Sequence, residues 1–295
     1  MCIRDRQKVD INSLYAGVRE AEISVENLNH LKTEKSMEWH DQLLPNEFLL
    51  FTSKNSDRYE VARYRSDTGS IEYVDSVGLS VCGIEPLNER QVVALTALLD
   101  DSLPIVTLVG KAGTGKTLLA IAAGLFKVAE QKKYGRVLVS RPVIPVGKDI
   151  GYLPGAKTEK LSHWMQPLFD NLEYVLSVYK KSNLKNMDSL FNSNLIELEA
   201  VSHIRGRSLP AQFIIIDEAQ NLSPHEIKTI VSRAGKGTKV VLTGDPYQID
   251  SPYLDSNSNG LTYLVESFKG QPLYGHVTLL KSERSELAEL AATLL

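Results

Sequence analysis

The amino-acid sequence predicts an α/β fold: a parallel sheet with helices on both faces, preceded by a small β-rich module. Two observations predict it. From about Pro86 onward, short apolar runs alternate with helical segments, and such runs are typical of parallel strands buried on both faces. Before Pro86, three short segments rich in β-forming residues follow one another without an intervening helix. Ligand-binding residues are therefore expected at the carboxyl ends of the parallel strands.

Residues 1–44 show no hydrophobic pattern that would form a core of their own. Residues 1–6, MCIRDR, resemble translated sequencing-adapter sequence and are treated as an artefact. Residues 7–44 are polar and helix-compatible, and they are predicted to be a linker or the remnant of a missing upstream domain. The sequence is therefore expected to be truncated at its N-terminus.

The small β-rich module is predicted over residues 45–81. Its three segments cover residues 47–52, 59–64 and 70–75, and Gly69 marks a turn between the last two. Short strands joined by turns favour antiparallel pairing, so we expect a small antiparallel sheet here.

Residues 82–295 are predicted to form one α/β domain. Its strands are expected at residues 105–109, 136–140, 196–201, 213–216, 239–242 and 277–280. A helix is expected over residues 116–129, and an amphipathic helix over residues 157–179. The apolar face of the second helix is interpreted as core, and the alternative is that Trp164 provides a platform for base stacking.

The composition is that of a globular protein rather than a membrane protein. Of 295 residues, 43% are hydrophobic and 23% are charged, and no apolar run approaches the roughly 20 residues that span a bilayer. Cys2 and Cys82 form no metal-binding pattern, and His163 and His203 have no partners at ligand spacing. A reducing, cytoplasmic location is therefore expected.

The net charge of -3 is unevenly distributed along the chain. Residues 1–103 contain 11 Lys/Arg and 18 Asp/Glu, whereas residues 104–295 contain 22 Lys/Arg and 18 Asp/Glu. The basic second half is compatible with a polyanionic partner, although many nucleic-acid-binding domains are more basic.

A glycine-rich loop provides the first functional motif. Residues 110–117 read GKAGTGKT and match the phosphate-binding pattern G-x-x-x-x-G-K-[ST] after an apolar strand and before a helix. Glycines let the loop amides point at phosphate oxygens, and the helix N-terminus adds partial positive charge. Lys116 is predicted to bind the β- and γ-phosphates and Thr117 to bind Mg²⁺. The predicted ATP-binding residues of the loop are Gly110, Ala112, Gly113, Thr114, Gly115, Lys116 and Thr117.

Two carboxylates follow the buried strand of the segment FIIIDEAQ, residues 213–220. Asp217 is predicted to hold Mg²⁺ through water, and Glu218 to activate the attacking water as a general base. A small-molecule kinase needs no such base, so Glu218 argues against that class. After the carboxylates, Ser223, Pro224 and Glu226 form a capping-box pattern that predicts the start of a helix.

A third strand ends in polar residues in the segment KVVLTGDPYQ, residues 239–248. Gln248 is predicted to contact the γ-phosphate or the attacking water, and its loop to move when that phosphate leaves. The alternative is a solvated loop with an Asp-Pro turn.

These motifs together resemble the PhoH family of ATPases, which is related to the first superfamily of helicases. The resemblance covers roughly residues 82–295 and rests on separate segments that occur in the family's order. They are GKAGTGKT, SRPVIPVGKDIGYLPG, IRGRSL, FIIIDEAQN, SRAGKGTKVVLTGDPYQID and SERS.

The resemblance implies roles for further residues. Gln91 is similar to the glutamine that reads adenine, with an ordinary helix-opening polar residue as the alternative. Arg233 and Arg284 are implied as candidate catalytic arginines, and one or the other would reach the γ-phosphate of a neighbouring subunit in a ring-shaped homo-oligomer. For single-stranded RNA, the implied contacts are Arg205 and Arg207. Arg141 is also similar to a family arginine. Arginines in such enzymes bind either phosphate or nucleic acid, and the sequence does not sort these five between the two roles. For each arginine a further alternative is a surface salt bridge.

Some members of the family carry an RNA-cutting PIN domain before the ATPase. Residues 9–18, VDINSLYAGV, resemble the segment that follows such a domain. No acidic cluster on a strand framework precedes them in this sequence, so no nuclease activity is predicted for this chain.

The function predicted from the sequence is ATP binding and hydrolysis that depends on RNA, in the manner of a helicase, with ATP and Mg²⁺ as cofactors and no membrane contact. The alternative is an ATP-driven conformational switch or assembly module that does not unwind nucleic acid.

Overall fold

The fold, seen in a computed structural model, contains two sheets. The structure describes residues 13–53, 56–142, 157–179, 187–204 and 206–283. The first sheet is formed by the N-terminal part of the chain and has the strand order β1-β3-β4-β5-β2. Its elements are β1 (Val18–Glu22), α1 (Val25–Glu34), β2 (Ser36–Glu38), β3 (Phe48–Ser53), β4 (Ser56–Arg65) and β5 (Ser70–Val74).

The first sheet differs from the prediction in where it begins. The three predicted segments form β3, β4 and β5 with antiparallel pairing. Two further strands and a helix lie within residues 7–44, which were predicted to be a linker: β1 pairs parallel with β3, and β2 pairs antiparallel with β5.

A small number of apolar residues on one helix face explains why this segment folds onto the first sheet. Leu28 and Leu31 lie on one face of α1 and are buried. Leu31 packs in one cluster with Leu43 and the sheet residue Phe51. Ser24 caps the helix by accepting a hydrogen bond from Asn27 N. Most residues of this segment are polar, so its composition does not reveal the narrow apolar face of α1. That face becomes buried only when the helix packs on the folded sheet.

The second sheet has six strands in the order β11-β6-β10-β9-β7-β8, and all of its pairs are parallel. The α/β fold class predicted from the sequence is confirmed. The elements of this part are α2 (Glu89–Leu99), β6 (Ile105–Gly110), α3 (Lys116–Leu125), β7 (Val137–Arg141), α4 (Lys157–Val178), α5 (Met187–Asn192), β8 (Ile196–Ala200), α6 (Val201–Ile204), β9 (Phe213–Ile216), α7 (Pro224–Val231), β10 (Lys239–Gly244), α8 (Gly260–Phe268) and β11 (Tyr274–Leu279).

Helices cover both faces of the six-stranded sheet. One face packs against α2, α3 and α4, and its core continues into residues of the first sheet such as Phe48 and Val61. The other face packs against α7 and α8 through Ile227, Ile230 and Leu264. Burial on both faces explains why these strands appear as continuous apolar runs in the sequence.

Most predicted elements match the observed ones, with small differences at their ends. The helix predicted over residues 116–129 is α-helical to Leu125 and continues as a π-helical turn over Phe126–Glu130. The strand predicted at 277–280 begins earlier, at Tyr274. In α4, Leu168, Leu172 and Val175 are buried as predicted, and the side chain of Trp164 lies outside the described residues.

Polar contacts join the two sheets. Arg63 of β4 forms an ion pair with Asp100 at the end of α2 and donates a hydrogen bond to Asn46 Oδ1 over 2.6 Å. Asn46 Nδ2 in turn donates to Pro272 O and Tyr274 O at 2.9 and 3.0 Å. The first sheet is therefore fixed to the edge of the second one.

Within the described part of the chain, no helix has the length and apolar character to cross a bilayer. The same residues contain no group of three or more His, Cys, Asp or Glu side chains arranged to hold a metal ion.

Candidate functional site

The phosphate loop connects β6 to α3 at the carboxyl edge of the six-stranded sheet. Gly113 and Gly115 have φ angles of 86° and 87°, a region that glycine adopts without steric cost. Gly110 is needed for close packing, because a Cβ atom there would lie 2.4 Å from Leu279 O. Lys116 Nζ donates to Gly110 O at 2.6 Å and to Lys111 O at 2.9 Å. These contacts hold the ammonium group over the loop.

Asp217 connects the acidic motif to the loop. Its Oδ1 atom accepts hydrogen bonds from Thr117 Oγ1 at 2.7 Å and from Thr243 Oγ1 at 2.6 Å. Asp217 and Thr243 are both buried. The two residues predicted to bind Mg²⁺ are thus in direct contact, and their hydroxyl and carboxylate oxygens are ligands that this cation prefers. The donor set fits Mg²⁺ together with nucleotide phosphates.

Glu218 lies beside Asp217 but in a different conformation. Its φ angle is 52°, in the left-handed region, at the start of a 3₁₀ turn over Ala219–Asn221. Its carboxylate accepts from Gln220 Nε2 at 2.6 Å and from Arg141 Nη2 at 3.3 Å. Burial and the adjacent charge of Asp217 raise the pKa of Glu218, while Gln220, Arg141 and Lys116 act in the opposite direction. A raised pKa brings a carboxylate nearer to the range that suits a general base.

Gln220 is a residue of the site that sequence reasoning did not assign. It is fully buried, and its Nε2 donates to both Glu218 Oε2 and Gln248 O, at 2.6 and 2.8 Å. Its Oε1 accepts from Asp245 N at 3.1 Å. Gln220 therefore joins the acidic turn to the loop after β10. The signal in the sequence was a polar residue two positions after Glu218, at the carboxyl edge of the predicted sheet.

Gln248 enters this network through its backbone, and the residue as a whole is exposed. The loop around it is also held by Asn221, whose Oδ1 accepts from Asp250 N at 2.8 Å and from Ser251 N at 3.3 Å. The contact of the Gln248 side chain with the γ-phosphate stays a prediction.

Gln91 contacts the phosphate loop from α2. Its Nε2 donates to Thr114 O at 3.2 Å, and its Oε1 accepts from Leu87 N at 2.8 Å. Gln91 is 3% exposed, so the structure shows it supporting the loop. Adenine reading by Gln91 stays a prediction. Nearby, Asn88 Nδ2 donates to Glu283 Oε1, and Glu283 N donates to Gly113 O, at 2.8 and 3.0 Å.

The structure shows different surroundings for the arginines whose roles the sequence did not distinguish. Arg141 ends β7 and contacts Glu218, so it belongs to the site. Arg207 forms ion pairs with Glu199 at 2.6 Å and Glu197 at 3.7 Å, on the edge strand β8. Its guanidinium group is therefore engaged by carboxylates. Arg205 and Arg284 lie outside the described residues.

Arg233 lies at the opposite edge of the sheet. It follows α7, which runs from the carboxyl end of β9 back toward the strand starts, and its carbonyl accepts from Leu209 N shortly before β9 begins. The residue is exposed. It therefore does not reach the phosphate loop of its own chain.

The helix start predicted after the acidic motif is confirmed. Ser223 Oγ accepts from Glu226 N at 3.3 Å, and Glu226 Oε2 accepts from Ser223 N at 2.9 Å, while Pro224 is the first helical residue. This capping box fixes where the chain turns away from the site.

A family comparison decides the identity of this site. The profile described as "PhoH-like protein" matches residues 83–293. The chain belongs to the PhoH-like protein family. The match covers the phosphate loop, the acidic turn and the loop after β10, and with the geometry above it supports a P-loop ATPase.

Two PhoH-like relatives are similar over much of the chain. Protein PhoH2 of Bacillus subtilis is 48% identical over 292 residues, which cover 97% of this chain and 66% of that protein. Protein PhoH2 of Mycolicibacterium smegmatis is 43% identical over 216 residues, which cover 73% of this chain and 48% of that protein. The chain thus spans between about half and two thirds of the length of these relatives.

Two solved structures show a weak similarity to part of this chain. The Sulfolobus solfataricus SWI2/SNF2 ATPase core in complex with dsDNA has a TM-score of 0.38 and 17% identity, covering 66% of this chain and 46% of that one. Pif1 helicase from Candida albicans has a TM-score of 0.38 and 16% identity, covering 71% and 43%. Because both scores are low, the fold class rests on the sheet topology and the family match.

Proposed function

We propose that this chain hydrolyses ATP and that single-stranded RNA stimulates the hydrolysis, in the manner of a helicase. The observation that carries the proposal is the contact of Thr117 with Asp217 beside the partly buried carboxylate of Glu218. This arrangement places a phosphate-binding loop, oxygen ligands for a cation and a candidate base within one site.

Different residues of the chain would carry out different parts of the reaction. The loop amides and Lys116 would bind the β- and γ-phosphates, and Thr117 and Asp217 would hold Mg²⁺. When bound, Mg²⁺ neutralises the charge that develops on the phosphate oxygens. Glu218 would take the proton of the attacking water, and Arg141 lies close enough to orient its carboxylate.

Support for RNA comes from charge and from the position of the site. Residues 104–295 contain more Lys/Arg than Asp/Glu, 22 against 18, and loops at the carboxyl edge are available to a ligand that lies across it. Arg207 supports this proposal less than the sequence suggested, because a phosphate would have to replace its ion pair with Glu199. We place this activity in the cytoplasm.

The test is ATP turnover of the purified chain with and without single-stranded RNA at several salt concentrations. We expect turnover to rise with RNA and RNA binding to weaken by about 0.7 log units per log of salt for each phosphate contact. Single-stranded DNA in a parallel titration tests the preference for RNA. RNA binding without any change in turnover would favour an ATP-driven switch or assembly module, and no binding at low salt would contradict the proposal.

A further inference from the structure

A cavity of about 380 Å³ opens beside the phosphate loop, over the carboxyl ends of β6, β10 and β11. We call it the Tyr247 cavity. Gly110 and Lys111 of the loop line one side, Tyr247 lines a second side, and Leu14, Ala16 and Leu280 complete it. Its volume lies within the range of small-ligand pockets, which starts at about 300 Å³.

The chemistry of the Tyr247 cavity suits a flat ring that carries a phosphate. Tyr247 is 64% exposed and Leu280 is 62% exposed, so an aromatic and an aliphatic side chain face water around one concave surface. Lys111 is also exposed and adds a cation at the same place. Asp245 also lines the cavity, but it is buried and its Oδ1 accepts a hydrogen bond from Tyr247 N at 3.0 Å. Apolar surface with one exposed cation matches the stacked base and adjoining phosphate of a nucleotide unit.

The far side of the cavity is held in place by the segment of residues 13–17. Thr278 N donates to Ala16 O at 3.0 Å, and Tyr15 N donates to Glu266 Oε1 at 2.9 Å. At Gly17 a Cβ atom would lie 1.8 Å from His276 O, so only glycine allows this close approach. These contacts fix Leu14 and Ala16 against the edge strand β11.

The cavity is connected to the catalytic carboxylate through one side chain. Tyr247 precedes Gln248, whose carbonyl accepts from Gln220 Nε2 at 2.8 Å. The same Nε2 atom donates to Glu218 Oε2 at 2.6 Å. A ligand that shifts the loop of Tyr247 would therefore change the hydrogen bonding of Glu218.

We propose that the Tyr247 cavity binds one base of a nucleic-acid single strand, stacked on Tyr247, with the adjoining phosphate next to Lys111. The inference rests on the proposed function and names the place where the strand acts. The base of ATP is the other possible occupant. Gln91, to which the family resemblance assigns adenine, is buried and bonds to Thr114 O. It does not line the Tyr247 cavity, so the resemblance assigns the base of ATP to a different place.

The experiment compares Tyr247→Ala with Tyr247→Phe in the full chain. The probe is a short single-stranded RNA that carries 2-aminopurine, whose fluorescence reports base stacking. We expect Tyr247→Ala to weaken RNA binding on the order of tenfold and to abolish the fluorescence change, since removal of a stacking ring typically costs that much. Tyr247→Phe keeps the ring and should behave as the wild type. Tyr253→Ala is the matched control, because Tyr253 is 91% exposed but does not line the cavity.

A second variant fills the cavity with a new side chain and leaves the ring of Tyr247 in place. In Ala16→Phe the new side chain would take the place of the base, so RNA binding should weaken although Tyr247 is intact. Wild-type-like binding by both Tyr247→Ala and Ala16→Phe would overturn the inference.

Two further outcomes separate this inference from the proposed function. If the wild type neither binds the RNA nor responds to it in turnover, the proposed function fails and the inference fails with it. If Tyr247→Ala weakens binding of a fluorescent ATP analogue and leaves RNA binding unchanged, the cavity holds the base of ATP, and only the inference is overturned.

Discussion

Glu218 shows most clearly how the site is set at the scale of single residues. A non-glycine residue in the left-handed region is uncommon, yet at Glu218 this conformation turns the carboxylate toward Arg141 and Gln220. The chain keeps Asp217 and Glu218 adjacent while giving them different partners. Adjacent carboxylates can then serve different roles, one on the cation and one on the water.

Glu218→Gln should separate nucleotide binding from hydrolysis. We expect the variant to bind ATP but to turn it over more slowly by on the order of 10²-fold or more, since a general base typically contributes that much. Nucleotide binding and single-turnover hydrolysis measure the two steps. Loss of nucleotide binding with normal turnover per bound ATP would mean that Glu218 is not the base.

The pH dependence of turnover should follow the same carboxylate. A base must be ionised to accept a proton, so turnover should fall as pH drops through the pKa of Glu218. Because burial raises that pKa, the acid limb should lie above the ordinary value of 4.5. The limb should disappear in Glu218→Gln. An acid limb that persists unchanged in the variant would assign it to another group.

Lys116→Ala should abolish ATP turnover and weaken nucleotide binding, because the β- and γ-phosphates lose the cation held over the loop. Turnover and binding of a fluorescent ATP analogue measure the effect. Lys236→Ala is the control, since Lys236 is exposed and lies beside the start of β10, away from the site. Unchanged hydrolysis in Lys116→Ala would contradict the assignment of the loop.

At the scale of elements, a buried lysine joins β10 to α2. Lys239 begins β10 and is fully buried. Its Nζ donates to Ala97 O at 2.9 Å and Asp100 O at 2.7 Å, which satisfies carbonyl groups at the end of α2. Burial lowers the pKa of Lys239 to about 7, against the opposing charge of Asp100.

This buried lysine predicts a pH-dependent stability. Between pH 7 and the ordinary lysine value of 10.5, the unfolded chain binds more protons at this residue than the folded chain. The contribution of Lys239 to the free energy of unfolding should therefore rise with pH, on the order of 1 kcal/mol per pH unit.

Lys239→Met tests this prediction, because it keeps a long side chain without a titrating group. The stability of the wild type relative to Lys239→Met should rise from pH 7 to pH 9, as measured by urea unfolding, and Lys236→Met should show no such trend. A difference that is constant over this pH range would mean that Lys239 does not titrate there.

At the scale of the whole molecule, Arg233 lies at the edge of the sheet opposite to the phosphate loop. We propose that it acts on the γ-phosphate of a neighbouring subunit in a ring-shaped homo-oligomer. In such an assembly each site combines the loop of one chain with an arginine of another. A single chain would then be inactive by itself.

Subunit mixing tests this arrangement. Arg233→Ala and Lys116→Ala should each be inactive, and a mixture of the two should regain part of the turnover, because some interfaces then pair an intact loop with an intact Arg233. The mass of the active species, measured by light scattering, provides the second readout. Full activity of Arg233→Ala, or no gain on mixing, would contradict a role for this residue between subunits.

The sequence by itself determined the class of the fold and the centre of the site. Parallel strands buried on both faces require continuous apolar runs, so β6, β9 and β10 were visible directly. The motifs assigned both Thr117 and Asp217 to Mg²⁺, and the two segments follow β6 and β9 at the carboxyl edge of one sheet, where the two side chains are in contact. Local patterns also determined the capping box at Ser223.

Only the tertiary structure decided which residues support the site and which lie away from it. Gln220, the ion pair of Arg207 and the remote position of Arg233 depend on contacts between segments that are distant in the sequence. The folding of residues 18–38 into the first sheet also depends on such contacts, because two strands at the ends of that sheet find their partners only there. Residue type and spacing report local propensity, whereas partners across the fold are set by packing, which no single segment encodes.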